Sequence, residues 1–290
     1  MADKHSFLAS PSATRAVLHR HGHEARYSMG QNFLVDDHVI GRILGLAHLA
    51  PDDVVLEVGP GIGTLTVALL DTARHVVAIE HDAALLPILA DTTSEWAPSF
   101  SLVHADALKV DEEVIRDALP EGVPLPTRFV ANLPYNVAAT VILSFFQEFP
   151  WIEEATVMVQ SEVADRICAA PDNKTYGAYT VKLSLYAEVA GRFHVGPGSF
   201  FPAPRVDSSV VKLVRRTDGE DPGVSLGWVA TVVDAAFSQR RKTIRNAMKG
   251  SGFEAEALDA AFAAADIDPR VRAEVLSRGD FMRLAAALRP

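Results

Sequence analysis

Residues 53–66 read DVVLEVGPGIGTLT: Asp53, an apolar run holding Glu57, three glycines at 59, 61 and 63, and then a helix-like run. A continuous apolar stretch of this length bounded by glycine predicts a buried strand over 53–58. The glycines allow a tight turn and let a ligand approach the backbone at the start of the following helix. A dinucleotide fingerprint would require glycine at 64, where this chain has Thr64, so nicotinamide and flavin binding are disfavoured. Glycine-rich turns also follow strands that bind nothing, so this loop alone leaves both readings open.

Outward from it the pattern repeats. HVVAIE (75–80), FSLVHAD (100–106), RFVAN (128–132) and EATVMVQ (154–160) are further apolar strand-like runs, with helical stretches such as DAALLPILA after 81 between them. Strands alternating with helices of this length predict βαβ units and a mostly parallel sheet covered on both faces. Two later apolar segments, 179–190 and 206–214, are joined by GPGSFFPAP (196–204) without a helix, and are expected to pair as an antiparallel edge. After Arg216 comes a polar linker, TDGEDPG (217–223), and from there the apolar spacing is helical. Three segments are therefore expected: a flexible basic N-terminal stretch over 1–27, an α/β domain over 28–216 and a small all-helical domain over 217–290.

Composition narrows the function. The longest nearly apolar run, 137–146, is half the roughly 20 residues needed to cross a bilayer. Lys4, Arg15, Arg20 and Arg26 punctuate the first thirty residues without an apolar core, which is not a signal-peptide pattern. A single cysteine, Cys168, excludes an intrachain disulfide and a cysteine-based zinc cluster and fits a reducing cytoplasm. His19, His21 and His23 read as a solvated tail, and no metal site is expected. The net charge of −10 argues against a wholly basic nucleic-acid binder, yet residues 238–250, SQRRKTIRNAMKG, hold Arg240, Arg241, Lys242, Arg245 and Lys249 and no acid. That run is either a solvated helix face or a phosphate-binding patch.

Acids at the next two strand ends sharpen the reading of the first loop. Glu80 closes the second strand, where a carboxylate accepts from both hydroxyls of a ribose. Asp106 follows the third, placed to accept from an adenine amine. No Lys or Arg accompanies them to hold phosphates, and there is no P-loop motif. Each acid alone would also suit a strand-end cap. Together, three successive strand ends describe a site for a nucleoside without phosphates, and S-adenosylmethionine fits that description.

With this constellation the chain resembles class I S-adenosylmethionine-dependent methyltransferases, and more closely the small-subunit ribosomal RNA adenine N6,N6-dimethyltransferase family. The resemblance runs from about residue 28 to 283 and is carried by GQNFLVD (30–36), EVGPGIGTLT (57–66), IEHD (79–82), HADAL (104–108), NLPYN (132–136), VQSEVADRI (159–167), FFPAPRVDSSVVKL (200–213) and FSQRRKTIRN (237–246) in that order. It implies a Rossmann-like methyltransferase sheet, with Gln31, Asn32 and Leu34 at the cofactor, Gly59 and Gly61 under its methionine part, Glu80 at the ribose and Asp106 at the adenine. Asn132 would lie between cofactor and substrate. The implied substrate is a pair of adjacent adenosines in a hairpin near the 3′ end of small-subunit rRNA, each methylated twice, with S-adenosylhomocysteine as product. The implied setting is an immature ribosomal subunit in the cytoplasm, with no membrane partner, and the chain is expected to be a monomer.

The motif NLPY (132–135) suits that chemistry. The exocyclic nitrogen of adenine is a poor nucleophile because its lone pair is delocalised into the ring. Acceptors for its N–H groups draw the nitrogen toward tetrahedral geometry and stabilise the positive charge that develops on it. Asn132 offers a side-chain carbonyl, Leu133 or Pro134 a backbone carbonyl, and Tyr135 a flat face for the base. A second stacking wall is expected from FFPAP (200–204). The resemblance favours Phe200, while Phe201 departs from the smaller polar residue of bacterial relatives; the competing reading is two core phenylalanines. Arg240, Arg241, Lys242 and Arg245 are the expected rRNA phosphate contacts, with help from Arg26 and its neighbours. Two other functions compete: a large-subunit rRNA adenine methyltransferase of the macrolide-resistance type, and a ribosome-assembly factor with little catalysis. FSQRRKTIRN and the Leu of NLPY favour the small-subunit type, and the intact acids and Asn132 speak against lost catalysis.

Overall fold

The computed structural model describes residues 4–24, 31–217 and 221–289, so Gly30 and Arg26 lie outside the described residues. In chain order the elements are α1 (Pro11–Arg20), β1 (Phe33–Leu34), α2 (Asp37–Ala47), β2 (Val54–Val58), α3 (Thr64–Leu70), β3 (His75–Glu80), α4 (Leu86–Thr92), β4 (Phe100–His104), α5 (Glu112–Ala118), β5 (Arg128–Asn132), α6 (Ala138–Glu148), β6 (Glu154–Gln160) and α7 (Ser161–Ile167). They continue with α8 (Ala178–Ser184), β7 (Ala187–Val195), β8 (Phe200–Phe201), β9 (Ser208–Arg215), α9 (Leu226–Phe237), α10 (Ile244–Gly250), α11 (Ala255–Ala264) and α12 (Arg278–Ala287).

Among the described residues one seven-stranded sheet has the order β4-β3-β2-β5-β6-β9-β7. β2 pairs in parallel with β3 and β5, β3 with β4 and β5 with β6, while β9 runs antiparallel to β6. The central strands β2 and β3 are buried along their whole length, as expected where helices cover both faces of a parallel sheet. β1 and β8 form a separate antiparallel pair, Phe33 opposite Phe201 and Leu34 opposite Phe200.

The chain divides into two compact units, residues 1–164 with 189–215, and residues 165–188 with 216–290. The break after 215 lies one residue from the boundary expected from the linker, but 165–188 belongs with the C-terminal helices. Packing accounts for this. Tyr176, Val181 and Leu185 share an apolar cluster with Val229, Val232, Leu258 and Phe281, and the Tyr176 hydroxyl donates to the Leu276 carbonyl at 2.7 Å. The same packing corrects the strand expected over 179–190. Val181 and Leu185, one helical turn apart, are both buried, so 178–184 is helix and the strand begins only at Ala187.

A second correction concerns the N-terminal segment. Ser10 caps α1 by accepting from the Ala13 N–H, and Pro11 occupies the first turn. Leu8, Val17 and Leu18 then pack with Phe33, Ile62, Val67, Leu85 and Ile88. Arg20 and His21 each reach Asp91 at 3.0 Å. Within 4–24 the segment read as a solvated tail is thus a docked helix, and His21 is a hydrogen-bond partner of Asp91.

Candidate active site

In an open parallel sheet, ligands bind beyond the carboxyl ends of the strands, where the winding reverses. Here β2, β3 and β4 progress toward one edge and β5 starts on the other side of β2, so the reversal lies between β2 and β5. A cleft of about 410 Å³ opens there. Its walls include Glu57 to Gly61 at the end of β2, Ile79 to Asp82 at the end of β3, Ala105 to Leu108 after β4 and Asn132 to Val137 at the end of β5, closed by Gln31 to Leu34. Every residue expected to bind the cofactor lines it: Gln31, Asn32, Leu34, Gly59, Gly61, Glu80, Asp106 and Asn132. Leu133, Pro134 and Tyr135 line it as well.

Two glycines make the turn possible. Gly59 has φ +70°, and a Cβ on it would stand 3.0 Å from the Pro134 ring. Gly61 has φ +64°, and a Cβ there would meet the Phe33 ring at 3.2 Å. Side chains at either position would be strained and crowded, so the backbone itself forms the floor.

The polar groups around this floor are arranged for a cation or a set of donors. Glu80 is only 6% exposed; its Oε1 accepts from the Asp82 N–H at 2.8 Å and its Oε2 from the Gly61 N–H at 3.4 Å. Burial raises its pKa above the ordinary carboxyl value despite these bonds. Gln31 donates to Asp82 at 2.8 Å, joining the segment before β1 to the same wall. Asp106 caps the short turn after β4 by accepting from the Leu108 N–H at 3.1 Å, and Lys109 lies 3.8 Å from it.

Glu57 had no assigned role in the sequence reading. It is 1% exposed at the end of β2, accepts from the Thr66 hydroxyl at 2.7 Å, and faces the cleft. Burial, with the Glu80 charge adding to it, pushes its pKa up to about 8. An acid inside an otherwise apolar strand was the signal that would have found it. Thr64 adds a buried hydroxyl in the cleft wall with no hydrogen-bond partner among the described residues.

These observations fit S-adenosylmethionine. The orphaned Thr64 hydroxyl and the bare backbone at Gly59 and Gly61 leave room and polar capacity for a ligand. No Lys or Arg is among the lining residues, whereas Glu80, Asp82 and Asp106 are, beside the buried Glu57. Such a wall repels phosphates and suits a nucleoside whose other end carries positive charge.

On the β5 side, Asn132 ends the strand opposite Met158, and the Leu133 N–H donates to the Met158 carbonyl at 3.1 Å. The Asn132 side-chain amide makes no hydrogen bond within the described residues. Tyr135 and Ser208 share a hydroxyl–hydroxyl hydrogen bond of 2.7 Å, and burial raises the tyrosine pKa. Ser208 is fully buried at the start of β9, so the far end of the Tyr135 ring is pinned.

Two expectations fare differently. Phe200 does not line the cleft. It is 4% exposed and packs with Leu34, Met158, Val195 and Val210, because the β1–β8 pairing turns it into the core. Its neighbour Phe201 is half-buried with the Arg15 guanidinium 4.7 Å from its ring. In the C-terminal unit, Arg241 and Lys242 are exposed, but the Arg240 guanidinium donates to the Lys174 carbonyl at 2.6 Å. Arg245 makes a two-pronged ion pair with Asp259, at 2.5 and 2.7 Å. That pair raises the pKa of Arg245 and lowers that of Asp259.

Comparison with known proteins agrees with this geometry. The family model for ribosomal RNA adenine dimethylase matches residues 22–289. The chain is 46% identical over 282 residues to ribosomal RNA small subunit methyltransferase A of Streptomyces griseus, covering 96% of this chain and 94% of the relative. Against the protein of the same name in Corynebacterium glutamicum (strain ATCC 13032) it is 42% identical over 286 residues, 97% and 95% of the two chains. Among solved structures, a dimethyladenosine transferase from Plasmodium falciparum superposes with a TM-score of 0.72 at 24% identity, over 87% of this chain and 95% of that one. The 23S rRNA methyltransferase ErmE gives 0.64 at 29% identity, over 89% and 99%. The chain belongs to the ribosomal RNA adenine dimethylase family, S-adenosylmethionine-dependent enzymes built on the class I methyltransferase sheet.

Proposed function

We propose that the protein methylates N6 of two adjacent adenosines, twice each, in a hairpin near the 3′ end of small-subunit rRNA within an immature subunit. The observation that carries this reading is the Asn132 amide, held at a strand end in the cofactor cleft with no hydrogen bond of its own among the described residues. An acceptor left open beside a donor site is what an exocyclic amine requires.

Glu80 would hold the ribose and Asp106 the adenine amine, while Gln31, Asn32, Leu34, Gly59 and Gly61 enclose the amino-acid end. Bound there, S-adenosylmethionine supplies an electrophilic methyl group and leaves as S-adenosylhomocysteine. The Asn132 carbonyl and the backbone carbonyl of Leu133 or Pro134 accept the two N–H groups of the target, orienting its lone pair for in-line attack. Tyr135, pinned through Ser208, stacks on the extruded base. After one transfer the nitrogen loses a proton to water and still carries one hydrogen. One of the two acceptors therefore serves a second round.

Arg241 and Lys242 are the preferred phosphate-binding cations in the C-terminal unit, because Arg240 and Arg245 are already engaged. Replacing both with glutamine should lower the slope of log affinity against log salt by about 0.7–0.9 for each phosphate no longer neutralised. An unchanged slope would make the run a solvated face. No helix among the described residues is long and apolar enough to cross a membrane. We take the protein to act as a monomer in the cytoplasm, with sedimentation alone and with rRNA as the check. The decisive experiment is mass spectrometry of rRNA after incubating immature small subunits with protein and S-adenosylmethionine. Two neighbouring dimethyladenosines in small-subunit rRNA are expected; modification confined to large-subunit rRNA would overturn the assignment.

A further inference from the structure

Arg15 differs from Arg20 on the same helix. Five residues on, Arg20 is paired with Asp91, whereas Arg15 has no carboxylate partner among the described residues. It is exposed, and its guanidinium lies 4.7 Å from the centroid of the Phe201 ring. Phe201 stands directly opposite Phe33 in the β1–β8 pair, which puts the two rings on one face. Both join the apolar cluster that includes Ile62 of the glycine turn. Phe33 in turn lines the cleft and touches the place where a Gly61 side chain would be. A continuous layer therefore runs from the cofactor turn through Phe33 and Phe201 to a flat cation at the surface with no carboxylate partner among the described residues.

The cleft beside that layer is acidic, with Glu80, Asp82 and Asp106 in its walls. An RNA strand delivering a base into it meets repulsion at its phosphates, and extruding one base leaves the neighbouring base without its stacking partner. A guanidinium plane seated on an aromatic ring answers both needs, since its outer face stacks on a base and its edge donates to phosphate. We propose that Arg15, backed by Phe201, is the binding site for the nucleotide next to the extruded adenosine, taking its base by stacking and its phosphate by charge. The proposal rests on the RNA-methylating function proposed above.

The test compares wild type, Arg15→Lys and Arg15→Ala as full-length proteins on two synthetic hairpins. One carries the two adjacent adenosines; in the other the nucleotide beside the target adenosine is abasic. Melting temperature and cofactor Kd are measured alongside. On the intact hairpin, Arg15→Lys keeps the charge but loses the flat face, and its KM for RNA is expected to rise about tenfold, Arg15→Ala more. Cofactor Kd and melting temperature should stay put. On the abasic hairpin, wild type should fall to the level of Arg15→Lys. Equal KM for wild type and Arg15→Lys on the intact hairpin would overturn the stacking site, as would an equal gap between them on both hairpins. A KM change that follows a lowered melting temperature or weakened cofactor binding would make Arg15 a staple for α1 and overturn the proposal. If wild type modifies neither hairpin nor small-subunit rRNA, the function itself fails and the proposal with it.

Discussion

On the β3 side of the cleft, Glu80 is held by the Asp82 and Gly61 N–H groups and Asp82 by Gln31, whereas on the β5 side the Asn132 amide is unengaged among the described residues and Tyr135 is held only at its hydroxyl. With the roles proposed above, the donor side is wired before any ligand arrives and the acceptor side keeps its valence for the substrate. A small cofactor of fixed shape rewards preorganisation, because acceptors already aligned need no ordering on binding. An RNA base arrives tethered to a long chain, and the hydrogen bonds that matter strengthen only as its nitrogen reacts.

The sharpest way to break this contrast is Asn132→Ala. Turnover should fall by about 10²-fold or more while cofactor Kd changes little, read by single-turnover methylation and calorimetry. Comparable losses in both would mean the sides are not separable. Glu80→Ala should do the reverse, weakening cofactor binding by about ten- to a hundredfold, with RNA affinity retained. Cofactor binding within twofold of wild type would remove Glu80 from the ribose.

A smaller effect is expected where the acceptor side is anchored. Ser208→Ala and Tyr135→Phe should each lower turnover several-fold, and the double variant should be no worse than either alone, since both break the single 2.7 Å hydrogen bond. Additive losses would show that the hydroxyls act separately.

The smallest effect concerns Glu57 and is read in stability. Unfolded, this carboxyl titrates near 4.5; folded, burial moves it to about 8, with Thr66 donating to it and Glu80 beside it. Between those values the folded protein holds a proton the unfolded chain has released. Its stability must therefore decline as pH rises through that window, and the contribution is gone above the folded value. Glu57→Gln should flatten this decline, so melting temperatures of the ligand-free proteins should diverge by several degrees toward the alkaline end. Parallel curves would mean that Glu57 is ionised in the folded protein.

The contrast also explains which residues could be read from the chain alone. That Glu80, Asp106 and Asn132 would line one cleft was legible because a parallel sheet brings successive strand ends to one edge, and strand ends are visible in local patterning. Phe200 was not, because its burial depends on a two-residue pairing with β1 across more than 160 positions of sequence. Arg245 looked like a phosphate ligand until Asp259, on the next helix, took both prongs of its guanidinium. The docked α1 was legible in part. Ser10 and Pro11 form a helix-start signal, but the basic residues after them also describe a tail. Residues 178–184 were misread because strand alternation and helical spacing coincide over so few positions.

The antiparallel strand β9, placed between β6 and β7, brings Ser208 to Tyr135, the ring proposed to stack on the base. The turns after β2, β3 and β4 owe nothing to it. Mechanically the sheet then has two parts: strand ends β2 to β4 that shape the proposed cofactor wall, and a return strand that fixes the posture of the tyrosine on the other wall. Grafting the stretch from 196 to 208 between relatives with different RNA targets would exchange the posture of that tyrosine and leave the donor grip as it was.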